Sequence, residues 1–146
     1  MSLDYSTQEL MIIASAREIK DNERIFVGMR LPITAYGVAR LTHAPNAVGL
    51  FESGIARYEP ADGMLYTMCD APNQLGAAWT CGLIQIMGML SGGRVHAGFI
   101  GGAEIDKFGN INTSYIGGIE NPKVKLPGSG GAADIAAMSQ RLIAIM

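Results

Sequence analysis

"VGLFESG", residues 48–54, is a short apolar run that stops on a glutamate. Val48 to Phe51 have the composition of a strand buried on both faces, and Glu52-Ser53-Gly54 ends it. An Asn or a Gly would turn the chain equally well, so a carboxylate at the mouth of the strand needs its own reason. Upstream, "RIFVG" (24–28) reads as a second buried strand, and "MRLP" turns out of it into a helical pattern over 33–42, with Ala35, Val38, Ala39 and Leu41 inward. Earlier still, Ser6-Thr7-Gln8-Glu9 matches a capping box, followed by Leu10, Ile13, Ala14 and Ile19 at helical spacing. Downstream, residues 55–73, with Pro60, Gly63 and Pro72, read as a long loop or a meandering piece. Gln74 to about Leu90 reads as a buried helix stopped by Ser91-Gly92-Gly93. "RVHAGFIGG" (94–102) is another apolar strand whose glycines imply close backbone approach. "DKFGN" is a turn, "INTSYIGG" is strand-like, and "NPKVKLPGSGG" leads into a last helix from about Ala132. "RLIAIM" then opens a further strand. Alternation of this kind specifies an α/β fold: a mainly parallel open sheet with flanking helices.

Sheets of that type bind ligands beyond the carboxyl ends of their strands. Glu52 stands at such an end, and so do the "GMRLP" turn (28–32) and Gly101-Gly102. Three separate oddities of the sequence thus gather at one edge.

At 146 residues the chain is read as a single domain, 1–146. Charged residues make up 16% against a usual quarter or so, and hydrophobic residues 49%, which fits either a large core or a surface covered by a partner. A net charge of -2 without a Lys/Arg cluster argues against a nucleic-acid groove and against an anionic membrane surface. Cys69 and Cys81 are too far apart, and His too few, for a zinc site. Two thiols fit a reducing cytoplasm as packing residues, and the nine Met read as core filler. No segment reads as a signal peptide or a membrane span. Glycine, with 19 residues, is at roughly twice its usual share and is clustered.

"LPGSGGAADIA" (126–136) is a glycine-rich loop opening a helix. Free amides there suit an anion or a developing oxyanion, and a tight structural turn accounts for the same residues. The loop lacks the ending of a P-loop and the spacing of a dinucleotide fingerprint. Asp134, in the first helical turn, complements the helix dipole. Asn110 completes a turn, whereas Asn112 lies beyond it without a turn duty and offers an amide donor. His43 reads as a cap at a helix end and His96 as a satisfied strand histidine. Glu59, Glu104, Asp106 and Glu120 read as solvated. By position alone, Glu52 either pairs with a neighbouring arginine or reacts.

Four pieces in this order, "VGMRLP", "FESG", "FIGGAEIDKFGNINTS" and "LPGSGGAADIA", resemble the β subunit of class I CoA-transferases of the glutaconate CoA-transferase type. The similarity runs from about Asp4 to Met146. It implies that Glu52 is the catalytic nucleophile and that Gly128, Gly130, Gly131 and Ala132 contact the CoA thioester. It implies Asn112 and Gly28 as oxyanion donors. The family's Gly-x-Gly-x-Pro turn maps onto Gly28 to Pro32, but Arg30 stands where the second glycine belongs. The family's β subunits are longer, so the chain is expected to be truncated at its C-terminus relative to them. The partner implied is a CoA-transferase α subunit in a hetero-oligomer. Coenzyme A is implied as a substrate, with no metal and no permanently bound cofactor.

The chemistry suits a glutamate, because a carboxylate is ionised at neutral pH and needs no adjacent base. Attack on an acyl-CoA would give an acyl-glutamyl anhydride and then a glutamyl-CoA thioester, which an acceptor acid resolves. Two other readings stand beside this one. An acyl-CoA hydrolase of the ring-opening type shares the fold, but its relatives lack the glutamate. A non-catalytic small-molecule sensor could use the same sheet.

Overall fold

A computed structural model of the chain describes residues 4–146. The capping box forms: Glu9 N–H donates to Ser6 Oγ (3.2 Å) and Ser6 N–H to Glu9 Oε2 (2.7 Å), which starts helix α1, Thr7–Arg17. There follow β1 (Arg24–Phe26), α2 (Leu31–Leu41), β2 (Val48–Phe51), β3 (Ile55–Arg57), α3 (Ala71–Gln74), β4 (Trp79–Thr80) and α4 (Leu83–Ser91). The second half holds β5 (Ala97–Gly101), β6 (Glu104–Ile105), β7 (Ile111–Asn112), β8 (Tyr115–Gly118), β9 (Asn121–Lys125), α5 (Ala132–Met138) and β10 (Arg141–Ile145).

The main sheet has the order β10-β5-β1-β2-β3-β4. β10, β5, β1 and β2 are parallel, and β3 and β4 extend the sheet antiparallel beyond β2. Side chains alternate between two helical layers. Ile25, Val27, Phe51 and Phe99 pack against Ala16 and Ile19 and against Ala35, Tyr36 and Ala39 of α2. Phe26, Leu50 and Ile100 face Ile86 and Leu90 of α4 and Ile135 of α5. Burial on both faces is why the strand sequences are continuously apolar. Tyr36 pins α2 to the sheet: its hydroxyl donates to the Arg57 carbonyl (2.9 Å) and accepts from Gly49 N–H (3.0 Å).

Several local expectations fail, each for a physical reason. In α1 the buried side is Met11, Ile12, Ser15 and Ala16, while Leu10 and Ile13 are largely exposed. Residues 10–14 are apolar without interruption, so helical spacing there fits more than one face. Leu41, on the last turn of α2, is 77% exposed, and Val38 is only half-buried. The buried helix expected over 74–90 does not exist as one element. Gly76, at φ 71°, breaks it, β4 pairs with β3, and α4 begins only at Leu83, with Ile84 84% exposed. The expected loop after residue 55 opens with β3, a strand too short to show a period. Met11, Met68, Met87, Met89, Met138 and Cys81 pack against the core half-buried, as expected, whereas Cys69, Met29, Met64 and Met146 are exposed.

Candidate active site

Glu52 sits in a hairpin turn between β2 and β3. Phe51 pairs with Ile55, leaving a three-residue loop closed by Gly54 N–H to the Phe51 carbonyl at 2.9 Å. Such a loop needs a residue with left-handed φ in its last position, and Gly54 supplies φ 89°. A side chain there would strike the Cys81 carbonyl, because Cys81 N–H bonds the Gly54 carbonyl at 2.7 Å. Ser53 Oγ donates to the Met68 carbonyl (3.1 Å) and so ties the turn to the segment after β3. Serine and glycine thus build the turn.

Glu52 has no such duty. Among the described residues the ion pairs are Arg40–Glu59 and Arg141–Glu23, and neither involves Glu52. Pairing with a neighbouring arginine, left open by position, does not occur. The side chain is half-buried, and because Phe51 faces α1 and α2, the next residue turns toward α5. There it meets Gly131: a methyl group on that glycine would lie 3.0 Å from Glu52 Oε1 and 3.3 Å from Cδ. α5 comes this close because Gly98, on β5, has no side chain; one would lie 2.4 Å from Ile135 Cγ2 and 2.5 Å from Ser139 Oγ.

In the rest of the glycine-rich loop, two of the amides are taken up by backbone carbonyls. Gly128 N–H donates to the Thr113 carbonyl (2.9 Å) and Ala132 N–H to the Ser129 carbonyl (2.8 Å). Gly128 (φ 98°) and Gly130 (φ 48°) have open space around their α-carbons. α5 itself is only seven residues long. What the loop brings to Glu52 is clearance at Gly131.

Gly28 follows β1 at the same edge. Val27 N–H donates to the Leu50 carbonyl at 2.8 Å, which extends the β1–β2 pairing to the end of β2. A side chain on Gly28 would lie 3.1 Å from the Phe99 carbonyl and 3.3 Å from Pro32 Cγ, so this turn is wedged between β5 and α2. Arg30 adopts φ 63°, ψ -116°, the conformation of the first central residue of a II′ turn, where glycine is the rule. The backbone keeps the glycine geometry although the residue is arginine.

Asn112 does have a turn duty. Its Nδ2 donates to Glu104 Oε2 (2.6 Å) and to the Tyr115 carbonyl, and its Oδ1 accepts from Ser114 N–H (3.0 Å). The amide is committed to the junction of β7 and β8, while Glu104 stays exposed as expected. Asn110 closes the β6–β7 hairpin through Asp106, as expected. His96 Nδ1 accepts from Arg24 N–H (2.9 Å), as a satisfied strand histidine does. His43 Nε2 lies 3.1 Å from the carbonyls of Ala16 and Ile19, so it caps α1 rather than its own helix. Among the described residues no three His, Cys, Asp or Glu side chains are grouped to hold a metal ion, and no helix is long and apolar enough to cross a membrane.

The model of the coenzyme A transferase family matches residues 8–146. The chain belongs to the coenzyme A transferase family. It is 40% identical over 149 residues to the B subunit of 3-oxoadipate CoA-transferase from Pseudomonas knackmussii, covering 97% of this chain and 55% of the relative. With the B subunit of glutaconate CoA-transferase from Acidaminococcus fermentans it shares 31% over 150 residues, covering 96% of this chain and 54% of the relative. The chain therefore spans about half the length of the curated relatives it matches. The crystal structure of glutaconate coenzyme A-transferase from A. fermentans matches with a TM-score of 0.84 at 27% identity, over 97% of this chain and 56% of that one. The decarboxylase AibA/AibB matches with a TM-score of 0.81 at 28% identity, over 97% and 59%.

Sequence reading missed three parts of the site. The conformation of Arg30 left no signal beyond its replacing a glycine. Gly98 was noticed as a close approach, without the helix it admits. Cys81, placed inside a helix, instead buttresses Gly54.

Proposed function

We propose that this chain is the β-type part of a CoA-transferase that moves CoA from an acyl-CoA to a carboxylic acid, with Glu52 as nucleophile. The observation that carries this reading is the unpaired Glu52 carboxylate, held at the sheet's carboxyl edge against Gly131. A Glu52 oxygen attacks the thioester carbonyl and CoA leaves as thiolate, giving a mixed anhydride. The thiolate then attacks the Glu52 carbonyl carbon and releases the first acid as its carboxylate. The resulting glutamyl-CoA thioester runs the same two steps backwards with the acceptor acid. Each step passes through a tetrahedral oxyanion, and Gly28, at the neighbouring strand end, is the amide proposed to face it. Gly131 lets the thioester approach, and Gly128, Gly130 and Ala132 flank that approach. Asn112 has no part in the scheme, and neither a metal nor a permanently bound cofactor is needed.

The curated relatives are named for 3-oxoadipate and glutaconate, both dicarboxylic acids, and dicarboxylates are the acid class proposed here. Each relative carries the name of one component of a multi-subunit transferase, and an α-type CoA-transferase subunit is the proposed partner. The exposed Leu75, Leu83 and Ile84 provide apolar surface for such a contact. The free thiols of Cys69 and Cys81 fit a reducing cytoplasm as the place of work.

The test is intact-mass analysis after incubation with acyl-CoAs, without acceptor acid, in the presence of the proposed partner. A gain of one CoA less one water, absent in Glu52→Gln, is expected. Thioester consumed without an adduct, with Glu52→Gln still active, would instead indicate a hydrolase. No reaction with any acyl-CoA would leave a binding module.

A further inference from the structure

Arg30 is the one residue at the site's edge whose identity works against its own backbone. Its φ of 63° is free for glycine and strained for any residue with a side chain, so the side chain must return something to the protein. Arg30 is exposed, and among the described residues its guanidinium takes part in no ion pair. It lines a cavity of about 590 Å³ together with Leu31, Ile33, Val38, Phe51 and Met64. None of the cavity's lining residues is acidic and Arg30 is the only charged one. A mainly apolar wall with a single cation is matched by a mainly apolar molecule carrying an anionic end.

The cavity adjoins the reacting group through the chain itself. Phe51 lines it, and the following residue is Glu52, turned to the opposite face of the sheet. The turn carrying Arg30 leaves β1 beside that point, because Val27 N–H is bonded to the Leu50 carbonyl. Arg30 and Glu52 thus follow the carboxyl ends of two adjacent parallel strands, β1 and β2. We infer that Arg30 is a specificity-determining residue that binds the distal carboxylate of a dicarboxylic acid substrate; this rests on Glu52 being the transferase nucleophile. A guanidinium fits a carboxylate with two parallel hydrogen bonds. A phosphate of CoA offers the same guanidinium chemistry, but a nucleotide diphosphate calls for several donors, and this cavity offers one cation.

The experiment compares glutarate with pentanoate, which have the same chain length and differ by one carboxylate, as acceptors from a common acyl-CoA. It uses the chain together with its partner subunit. In Arg30→Gln and Arg30→Gly the ratio of kcat/KM for glutarate over pentanoate should fall roughly ten- to a hundredfold, mainly through the KM for glutarate. Arg30→Lys should recover part of the preference. Arg30→Gly also relieves the backbone, so its loss of preference cannot come from misfolding. An unchanged ratio overturns the inference, and an unchanged ratio with a raised KM for acyl-CoA assigns Arg30 to a CoA phosphate instead. A wild-type protein that forms the Glu52 thioester yet shows no preference for glutarate overturns this inference alone. One that forms no thioester with any acyl-CoA overturns both readings.

Discussion

Gly131, at the start of α5, and the carboxylate of Glu52, at the end of β2, face each other with no room for a side chain between them. The methyl of an alanine at 131 would lie 3.0 Å from Oε1. Backbone conformation does not require glycine here, since its φ is -80°. Contact with the carboxylate is what the site asks of this residue.

Gly131→Ala should therefore fold normally and push the carboxylate aside by a few tenths of an ångström. We expect kcat to fall about tenfold, with Gly131→Val losing more, since small misplacements of a reacting group are costly. Steady-state kinetics alongside thermal melts separate the two effects; a fall in Tm that tracks the fall in kcat would show that Gly131 is structural.

Gly54→Ala should act on the fold first. It places a methyl 1.9 Å from the Cys81 carbonyl oxygen, at φ 89°. Strain and overpacking together should cost at least about 2 kcal/mol. Urea midpoints would register this, and a loss below about 0.5 kcal/mol would mean that the turn rearranges freely.

Acid should loosen the contact between the start of β1 and β10. Burial on its own would raise the Glu23 carboxyl, but hydrogen bonds from the Arg141 guanidinium (3.1 and 3.0 Å) and from Lys20 N–H (2.9 Å) outweigh it and hold Glu23 below its ordinary value. A lowered carboxyl contributes stability above its unfolded value, about 4.3, and loses it as pH falls through the folded one. Glu23→Gln should lower stability at neutral pH by roughly 1 kcal/mol, since the pair is partly exposed, and flatten the acid limb. Denaturation series at several pH values check both parts.

Alkali should act through Tyr36. Burial pushes its hydroxyl up to about 12, although Gly49 N–H donates to it. Its contribution is complete below the ordinary tyrosine value of about 10 and is lost as pH rises through the folded value. Tyr36→Phe leaves Gly49 N–H and the Arg57 carbonyl without their partner, which should cost about 1–3 kcal/mol at neutral pH. The same variant should lack the alkaline limb, as stability curves up to about pH 11 would show. An alkaline limb identical to that of the wild type would rule Tyr36 out as its source.

The strands β1, β2, β5 and β10, the helices α1, α2 and α5, the capping box at Ser6, the strand end before Glu52 and the loop before α5 were legible in the sequence. They rest on local rules: short continuous apolar runs, caps, and glycine or proline at turns. Glu52 was singled out because a carboxylate is out of place after an apolar strand. What no local rule could give is the set of partners. Asn112 read as free because Glu104 and Tyr115 come to it only when two short hairpins fold together. The run 74–90 read as one helix because its composition is helical, and it is broken by a left-handed glycine and by pairing with β3. The contact of Glu52 with Gly131 depends on α5 settling over Gly98, between residues far apart in the chain. The sequence by itself determined the parallel strands, the helices that flank them and which carboxylate stands out. Only the tertiary structure decided that this carboxylate stays unpaired, faces a glycine and shares its edge with a strained arginine, because each depends on packing between distant segments.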